Sequence, residues 1–496
     1  MGPAIVKKNK KPATYFPAAG NSGRQGKKEA MNERQKQALD NQDLTTGSIV
    51  RKLAIFALPI LLGNIFTQLY NVADAIIVGR FVSSDALAAV GCSGSINMIV
   101  HSILIGLGTG VGVIVAQYFG ARQREGLTKA VNTTFILCVI AGTALTLIGL
   151  IAGGPLLRLI RTPENILDDA VLYLNITFLG LIGMMFYHVG SGVLRSVGDS
   201  KFPMYMIVVS AVINVGLNLL FVVVFHMGVA GVAWATIIAQ YMVAAAVMIR
   251  VYRMEHFTFN RSTLRIDGAI VGHMVRIGLP ASIQAMLTSL GMLVLQSFNN
   301  SFGSDMVATV TVMQKLDGFA NMPAMALSMA ASTFVGQNIG AGRLDRVRTG
   351  VRYILFFTVG IGVLVGVVML AFGRDLLHLF TDNEAVVVIG LTAISIISFS
   401  YVGGGIQQAC MGVIRGAGVA TVPMIIMIAA TFVRLPVAYY LAIVPHEYRG
   451  IFWSIFIATY FGAVLMFGYY ISGRWKNRGV VRQRQPVKAE KAAGQS

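Results

Sequence analysis

An aspartate and a proline stand in a stretch of chain that otherwise suits the interior of a lipid bilayer. From Arg51 to Arg80 the sequence reads RKLAIFALPILLGNIFTQLYNVADAIIVGR, with Asp74 as its only carboxylate and Pro59 as its only proline. About 20 apolar residues cross a bilayer as a helix, so the stretch is long enough to span. A carboxylate there is costly and marks a path for an ion, a proton or a substrate. Asp74 is therefore read as an ion-coupling residue. A proline inside a helix removes one backbone hydrogen bond, and Pro59 is read as the point where this helix bends. Asn64, Thr67, Gln68, Asn71 and Asp74 are spaced three or four apart and share one helix face. In lipid that face must turn towards protein or water.

Other segments carry weaker signals. Ser210, Asn214 and Asn218 follow one another at intervals of four, as do Thr236 and Gln240. Their amides and hydroxyls suit either interhelical hydrogen bonds or ion coordination. In VMQKLDGFANMPAMALSM, Gln314, Asp317 and Asn321 share a face, whereas Lys315, two residues from Asp317, points elsewhere. Met322, Met325 and Met329 lie on one side of the same helix beside Phe319, as a pocket for apolar cations or as core filling. Gln68, Asn71, Gln284, Gln314, Asp317 and Met322 are the candidate lining of a substrate cleft. Arg434 could oppose Asp317. His101 and His188 are isolated in apolar sequence and read as core groups. Cys92, Cys138 and Cys410 lie in apolar runs with no CxxC spacing, which argues against a disulfide framework or a zinc site. GLGTGVG at 106–112 has no lysine after it, so it is no phosphate loop, and the absence of a Walker A motif argues against direct ATP coupling. With no HExxH and no nucleophile–base constellation, an enzyme is not expected, nor any cofactor beyond the coupling ion.

These residues need a scaffold, and composition says which kind. Of 496 residues 55% are hydrophobic and only 12% charged, against about 25% charged in soluble domains. Apolar segments at 52–79, 87–118, 129–152, 170–193, 204–225, 228–250, 274–299, 306–336, 350–372, 386–411, 422–444 and 450–472 predict twelve spans in an all-α polytopic membrane protein. The net charge of +19 does not imply nucleic acid, because the basic residues collect in loops and tails. Of the loops on one side, only Arg80, Arg158, Arg161, Arg374 and Arg449 are basic. Nearly all other Lys and Arg fall on the opposite side with both termini, which the positive-inside rule makes cytoplasmic. The plasma (inner) membrane is the expected location. The halves also repeat. Pro59 recurs as Pro280, AQYFGA at 116–121 as GQNIGA at 336–341, and GVLRSVGDSKFPM at 192–204 as GVIRGAGVATVPM at 412–424. Two parallel six-helix lobes around a central cleft follow, an arrangement suited to alternating access. The expected organisation is a disordered cytoplasmic tail over 1–48, an N-lobe over 49–250, a cytoplasmic linker over 251–273, a C-lobe over 274–474 and a basic cytoplasmic tail over 475–496. Asp74 has no counterpart in this repeat, since its partner position is Leu295.

Taken together, LPILLGNIFTQLYNVADAIIVGRF, VAQYFGA, VLRSVGDSKFPM, FVGQNIGAGR and VIRGAG resemble the multidrug and toxic compound extrusion (MATE) family over about residues 50–475. The resemblance implies twelve helices in two lobes and a secondary active exporter that antiports organic cations or amphipathic compounds against protons or sodium ions. In the DinF-like branch an aspartate of the first helix binds the ion and a proline bend accompanies the change of state; Asp74 and Pro59 match these. Asn214, Tyr173 and Thr236 look like that branch's further ion-site residues, while Asn218 stands where it has a second carboxylate. The NorM-like branch has a glutamate where this chain has Thr288. A monomer is expected. A lipid or lipid-linked oligosaccharide flippase is the alternative, and it would need Lys315 and Arg434 to line the cleft.

Overall fold

The computed structural model describes residues 43–254, 257, 265–476 and 478–481. The expected tails over 1–42 and 482–496, and most of the linker between 255 and 264, lie outside the described residues. Every regular element among the described residues is helical. The first half comprises α1 (Ile49–Phe81), α2 (Ser84–Gly120), α3 (Arg124–Leu159), α4 (Glu164–Leu179), α5 (Leu181–Ser196), α6 (Lys201–Asn218) and α7 (Gly228–Tyr252). The second comprises α8 (Gly268–Asn300), α9 (Ser304–Gly340), α10 (Leu344–His378), α11 (Glu384–Ile397), α12 (Ser400–Gly416), α13 (Thr421–Ala438) and α14 (Arg449–Ser472). A π-helical turn extends α6 over Leu219–Val224 and another extends α13 over Tyr439–Ile443.

Two of the twelve expected spans are broken. The α4–α5 pair bends by 49° and the α11–α12 pair by 52°. Counting each pair as one rod gives twelve. Among the described residues, eleven of these are long and apolar enough to cross a membrane. The twelfth, α9, is as long as α2 but carries Gln314, Lys315, Asp317, Asn321, Gln337 and Asn338.

The repeat predicted from sequence is visible in the backbone. Gly198 and Gly418, 220 positions apart, take φ of 90° and 91°, left-handed values that favour glycine. His226 and His446, with the same separation, adopt φ of 52° and 54°. α6 and α13 each follow the glycine turn and each end in a π turn.

The first helix of each half begins in the core of the other half. Leu53, Phe56, Ala57 and Ile60 of α1 pack with Ala330, Phe334, Val351 and Val413. Further along, Val78 packs with Tyr173, Val222 and Val232 of its own half. Ile270, Met274 and Ile277 of α8 likewise join the cluster built from α2, α3, α5 and α7. The boundaries expected at 49 and 274 therefore separate two sequence repeats, whereas packing runs across both. α1 continues without a break through Pro59, which is buried.

The ends of the chain take part in this core. The N-terminal tail was expected to remain disordered to residue 48, yet Leu44 is wholly buried. Its backbone is held by Gln337, Asn338 and Arg346, and Arg343 donates to the Thr45 carbonyl at 2.7 Å. The C-terminal tail was expected to start at 475, yet Trp475 is 1% exposed and donates from Nε1 to the Tyr470 carbonyl at 2.8 Å. Polar sequence hid both segments, because each contributes a single large apolar side chain to the core.

Candidate functional site

The polar stripe of α1 meets α6 and α7 at Asp74. The four-residue spacing of Asn214 and Asn218 puts both on one face of α6, and both are fully buried. Asn218 Nδ2 donates to Asp74 Oδ1 at 2.7 Å and to Asn214 Oδ1 at 2.8 Å. Asn214 Nδ2 donates to Thr236 Oγ1 at 3.1 Å, and the Thr236 hydroxyl donates to the Val232 carbonyl at 3.0 Å. The network therefore runs from a half-buried carboxylate through two amides to a helix backbone. Asp74 Oδ2 accepts no hydrogen bond among the described residues, and neither does the buried Asn218 Oδ1. Unsatisfied buried acceptors cost about 1–3 kcal/mol each. The unsatisfied Asn218 oxygen next to the half-buried Asp74 carboxylate makes a natural place for a proton or a small cation. Tyr173 is buried close to Asp74, and Tyr70 lies beside both Asp74 and Thr236.

The second half holds a separate acidic cluster. The Tyr401 hydroxyl donates to Asp317 Oδ1 at 2.5 Å, and Arg434 lies near the same carboxylate without an ion pair to it among the described residues. Arg434 Nε is enclosed without a partner. Asn321 Nδ2 donates to the Asp317 carbonyl at 3.0 Å, within one helix turn.

Two regions of the chain, 59–220 and 280–440, each match the family described as MatE. The chain belongs to the MatE family. These two matches coincide with the internal repeat, and together they cover well over half of the chain. The chain is 30% identical to the "Probable multidrug resistance protein YoeA" of Bacillus subtilis (strain 168), over 91% of this chain and 99% of the relative. It is 30% identical to "Probable multidrug resistance protein YpnP" of the same organism, over 88% and 97%. Among solved structures, "Crystal structure of MATE in the bent conformation" superimposes with a TM-score of 0.82 at 23% identity, covering 87% of this chain and 97% of that one. The outward-facing conformation of a multidrug resistance MATE family transporter gives 0.81 at 23% identity, covering 86% and 96%. The twelve-rod, two-lobe architecture of this MatE protein is thus the family's own, and it is a transporter fold rather than an enzyme.

Within this MatE protein the residues expected around an ion come together: Asp74, Asn214, Asn218, Thr236 and Tyr173 lie around one point. Those expected to line a substrate cleft do not form one cluster. Gln68 is half-buried against Gly318 of α9 and accepts from Asn71 Nδ2 at 3.4 Å. Asn71 and Gln314 are exposed. Gln284 is buried, with its Oε1 taken by Arg415 at 2.7 Å and its Nε2 against Met411 Sδ. Met322 is 5% exposed, whereas Met325 and Met329 on the same helix are 48% and 37% exposed. Lys315 Nζ lies 5.5 Å from the Phe380 ring. His101 and His188, expected as isolated core groups, meet edge to face with ring centroids 5.9 Å apart. Sequence reasoning missed Tyr70, although it stands four residues before Asp74 on the same helix face. It also missed Tyr401, 84 positions from Asp317, for which no local spacing could speak.

A second group of residues closes the two halves on each other. Gln117 Nε2 donates to the Gly416 carbonyl at 3.0 Å, and Gln337 Nε2 donates to the Ser196 carbonyl at 2.8 Å. Both pairs are related by 220 positions. Gln117 Oε1 accepts from the Val480 N–H at 2.6 Å and Gln337 Oε1 from the Leu44 N–H at 2.9 Å. Each glutamine thus joins the other half and one terminal segment. At Gly120 and Gly340 the helices approach so closely that a Cβ would collide with the backbone of Gln337 and Gln117, respectively. Ser282 Oγ donates to the Ile103 carbonyl at 3.1 Å nearer the middle of the bundle.

Proposed function

We propose that this MatE protein is a multidrug exporter that moves organic cations or amphipathic compounds out of the cell by antiport against protons or sodium ions. The observation that carries the reading is the Asp74 carboxylate, with one oxygen fixed by Asn218 and the other without a partner at the head of a buried amide network. Support also comes from relatives whose names are those of multidrug resistance proteins. The protein works as a monomer in the plasma membrane with both termini cytoplasmic. An ion at Asp74 can move the equilibrium between inward- and outward-facing states only by binding them unequally. α1 is suited to that coupling, because it carries Asp74 in one half's core and anchors its first turns in the other's. Ion binding shifts the α1 segment around Pro59 and weakens substrate binding in the outward-facing cleft; release of the ion to the cytoplasm resets the lobes.

The test is Asp74→Asn in proteoliposomes, with efflux of a fluorescent cation measured under separately imposed proton and sodium gradients. Wild type should respond to one of these gradients, and the variant should fall to the rate without a gradient. Gradient-driven efflux by Asp74→Asn at the wild-type rate would sink the coupling role.

A further inference from the structure

We propose that a cavity between α8, the start of α13 and the C-terminal segment binds a phosphate group. The cavity has a volume of about 230 Å³, and its lining includes His273, Arg276, Thr421, Val422, Tyr469 and Arg478. Arg276 and Arg478 are exposed and form no ion pair among the described residues, and His273 Nδ1 is enclosed with no hydrogen-bond partner among them. Two arginines therefore line the cavity, and no described carboxylate lines it with them. Arginine forks suit phosphate geometry.

The internal repeat shows what such a position demands. In the first half the turn at Gly198 leads into α6, and the next residue, Asp199, is 6% exposed. Its Oδ1 accepts the Phe202 N–H at 3.1 Å and its Oδ2 accepts from Arg250 at 3.1 Å. A carboxylate thus sits on the positive end of the helix, held by an arginine. In the second half the backbone follows the same turn at Gly418 into α13. The position of Asp199 is now Val419, and Ala420 gives no side-chain cap. The Thr421 and Val422 N–H groups have no acceptor among the described residues. Where the first half supplies its own anion, the second has a cavity, free helix N–H groups and unpaired cations. An exogenous phosphate satisfies all three. Arg478 and Val480 belong to the segment bound by Gln117, so occupancy ties that segment down and favours the closed arrangement of the glutamine contacts.

The phosphate can come from an anionic lipid headgroup or from free phosphate. The full chain in neutral detergent is titrated with phosphatidylglycerol, with dioleoylglycerol as the headgroup-free control, and separately with sodium phosphate against sodium chloride at equal ionic strength. The readout is the thermal unfolding midpoint. A saturable rise with phosphatidylglycerol alone assigns the site to lipid, and a rise with sodium phosphate as well assigns it to phosphate from either source. Val419→Asp restores the internal carboxylate and should unfold no lower than wild type without anion. In Arg276→Gln, at an exposed position, the half-saturating concentration should rise at least about tenfold, as expected for losing a charge-assisted hydrogen bond, and in Val419→Asp it should rise as far because the added carboxylate occupies the helix end and repels the anion. No saturable response of wild type to either probe, or wild-type responses in both variants, would overturn the assignment.

Discussion

Asn218 is the residue on which the Asp74 site turns. It donates both of its amide hydrogens, one to the carboxylate and one to Asn214. In Asn218→Ala both acceptors lose their partner in a buried setting, at about 1–3 kcal/mol for each. The variant should unfold at a measurably lower temperature in detergent, and its gradient-driven transport should fall. Tyr70→Phe removes a hydroxyl beside Thr236 and Asp74 while keeping the ring, so it should leave stability nearly unchanged but alter the dependence of transport on the coupling ion. The same change in both ion dependence and melting temperature would instead make Tyr70 a packing residue. Thermal unfolding and proteoliposome efflux, run on the same preparations, separate the two outcomes.

At the scale of elements, close helix approach is set by glycine. A methyl group at Gly120 would meet the Gln337 backbone, and one at Gly340 would meet the Gln117 backbone. Because backbone cannot move aside as a side chain can, Gly120→Ala and Gly340→Ala should each cost about 1–3 kcal/mol. Gly360→Ala on α10 is the control, since nothing lies within 4 Å of the added carbon, and it should be neutral or stabilising by up to about 1 kcal/mol. Thermal unfolding of the three variants checks the contrast. Much of this element pattern was legible in the sequence. Apolar runs located the spans, and the recurrence of GVLRSVGDSKFPM as GVIRGAGVATVPM located the paired glycine turns. The breaks between α4 and α5 and between α11 and α12 were not legible, because the runs containing Leu179–Leu181 and Ile397–Ser400 are as apolar as any straight helix. The Asp74 cluster was legible where intervals of four set residues on one face, as for Asn214 and Asn218. The separate Asp317 cluster was not legible, because the Tyr401–Asp317 contact joins distant helices. Leu44 was hidden for a further reason: one apolar residue in a polar tail has no periodicity to reveal it.

For the molecule as a whole, the two glutamine contacts form a closure with the symmetry of the repeat. The hydrogen bonds of Gln117 and Gln337 join the halves at the end marked by Gly120 and Gly340, and that of Ser282 joins them nearer the middle of the bundle. If the proposed alternation opens this end, these bonds are made in one state and lost in the other. Removing either side chain should therefore move the conformational equilibrium as well as global stability. Gln117→Ala and Gln337→Ala each lose a bond across the halves and release one terminal segment. At about 1 kcal/mol per hydrogen bond, two lost bonds raise the open-to-closed ratio at this end on the order of tenfold or more. Because the two glutamines occupy equivalent positions, their single effects should be similar. Because both report the same separation of halves, the double variant should open this end further than either single variant. Spin labels on exposed positions of α3 and α10 near this end, read by pulsed dipolar distance measurement, resolve the two populations. Unchanged distance distributions in both single variants and in the double variant would mean that the glutamines hold the terminal segments alone and that the closure resides in the glycine contacts of α2 and α9.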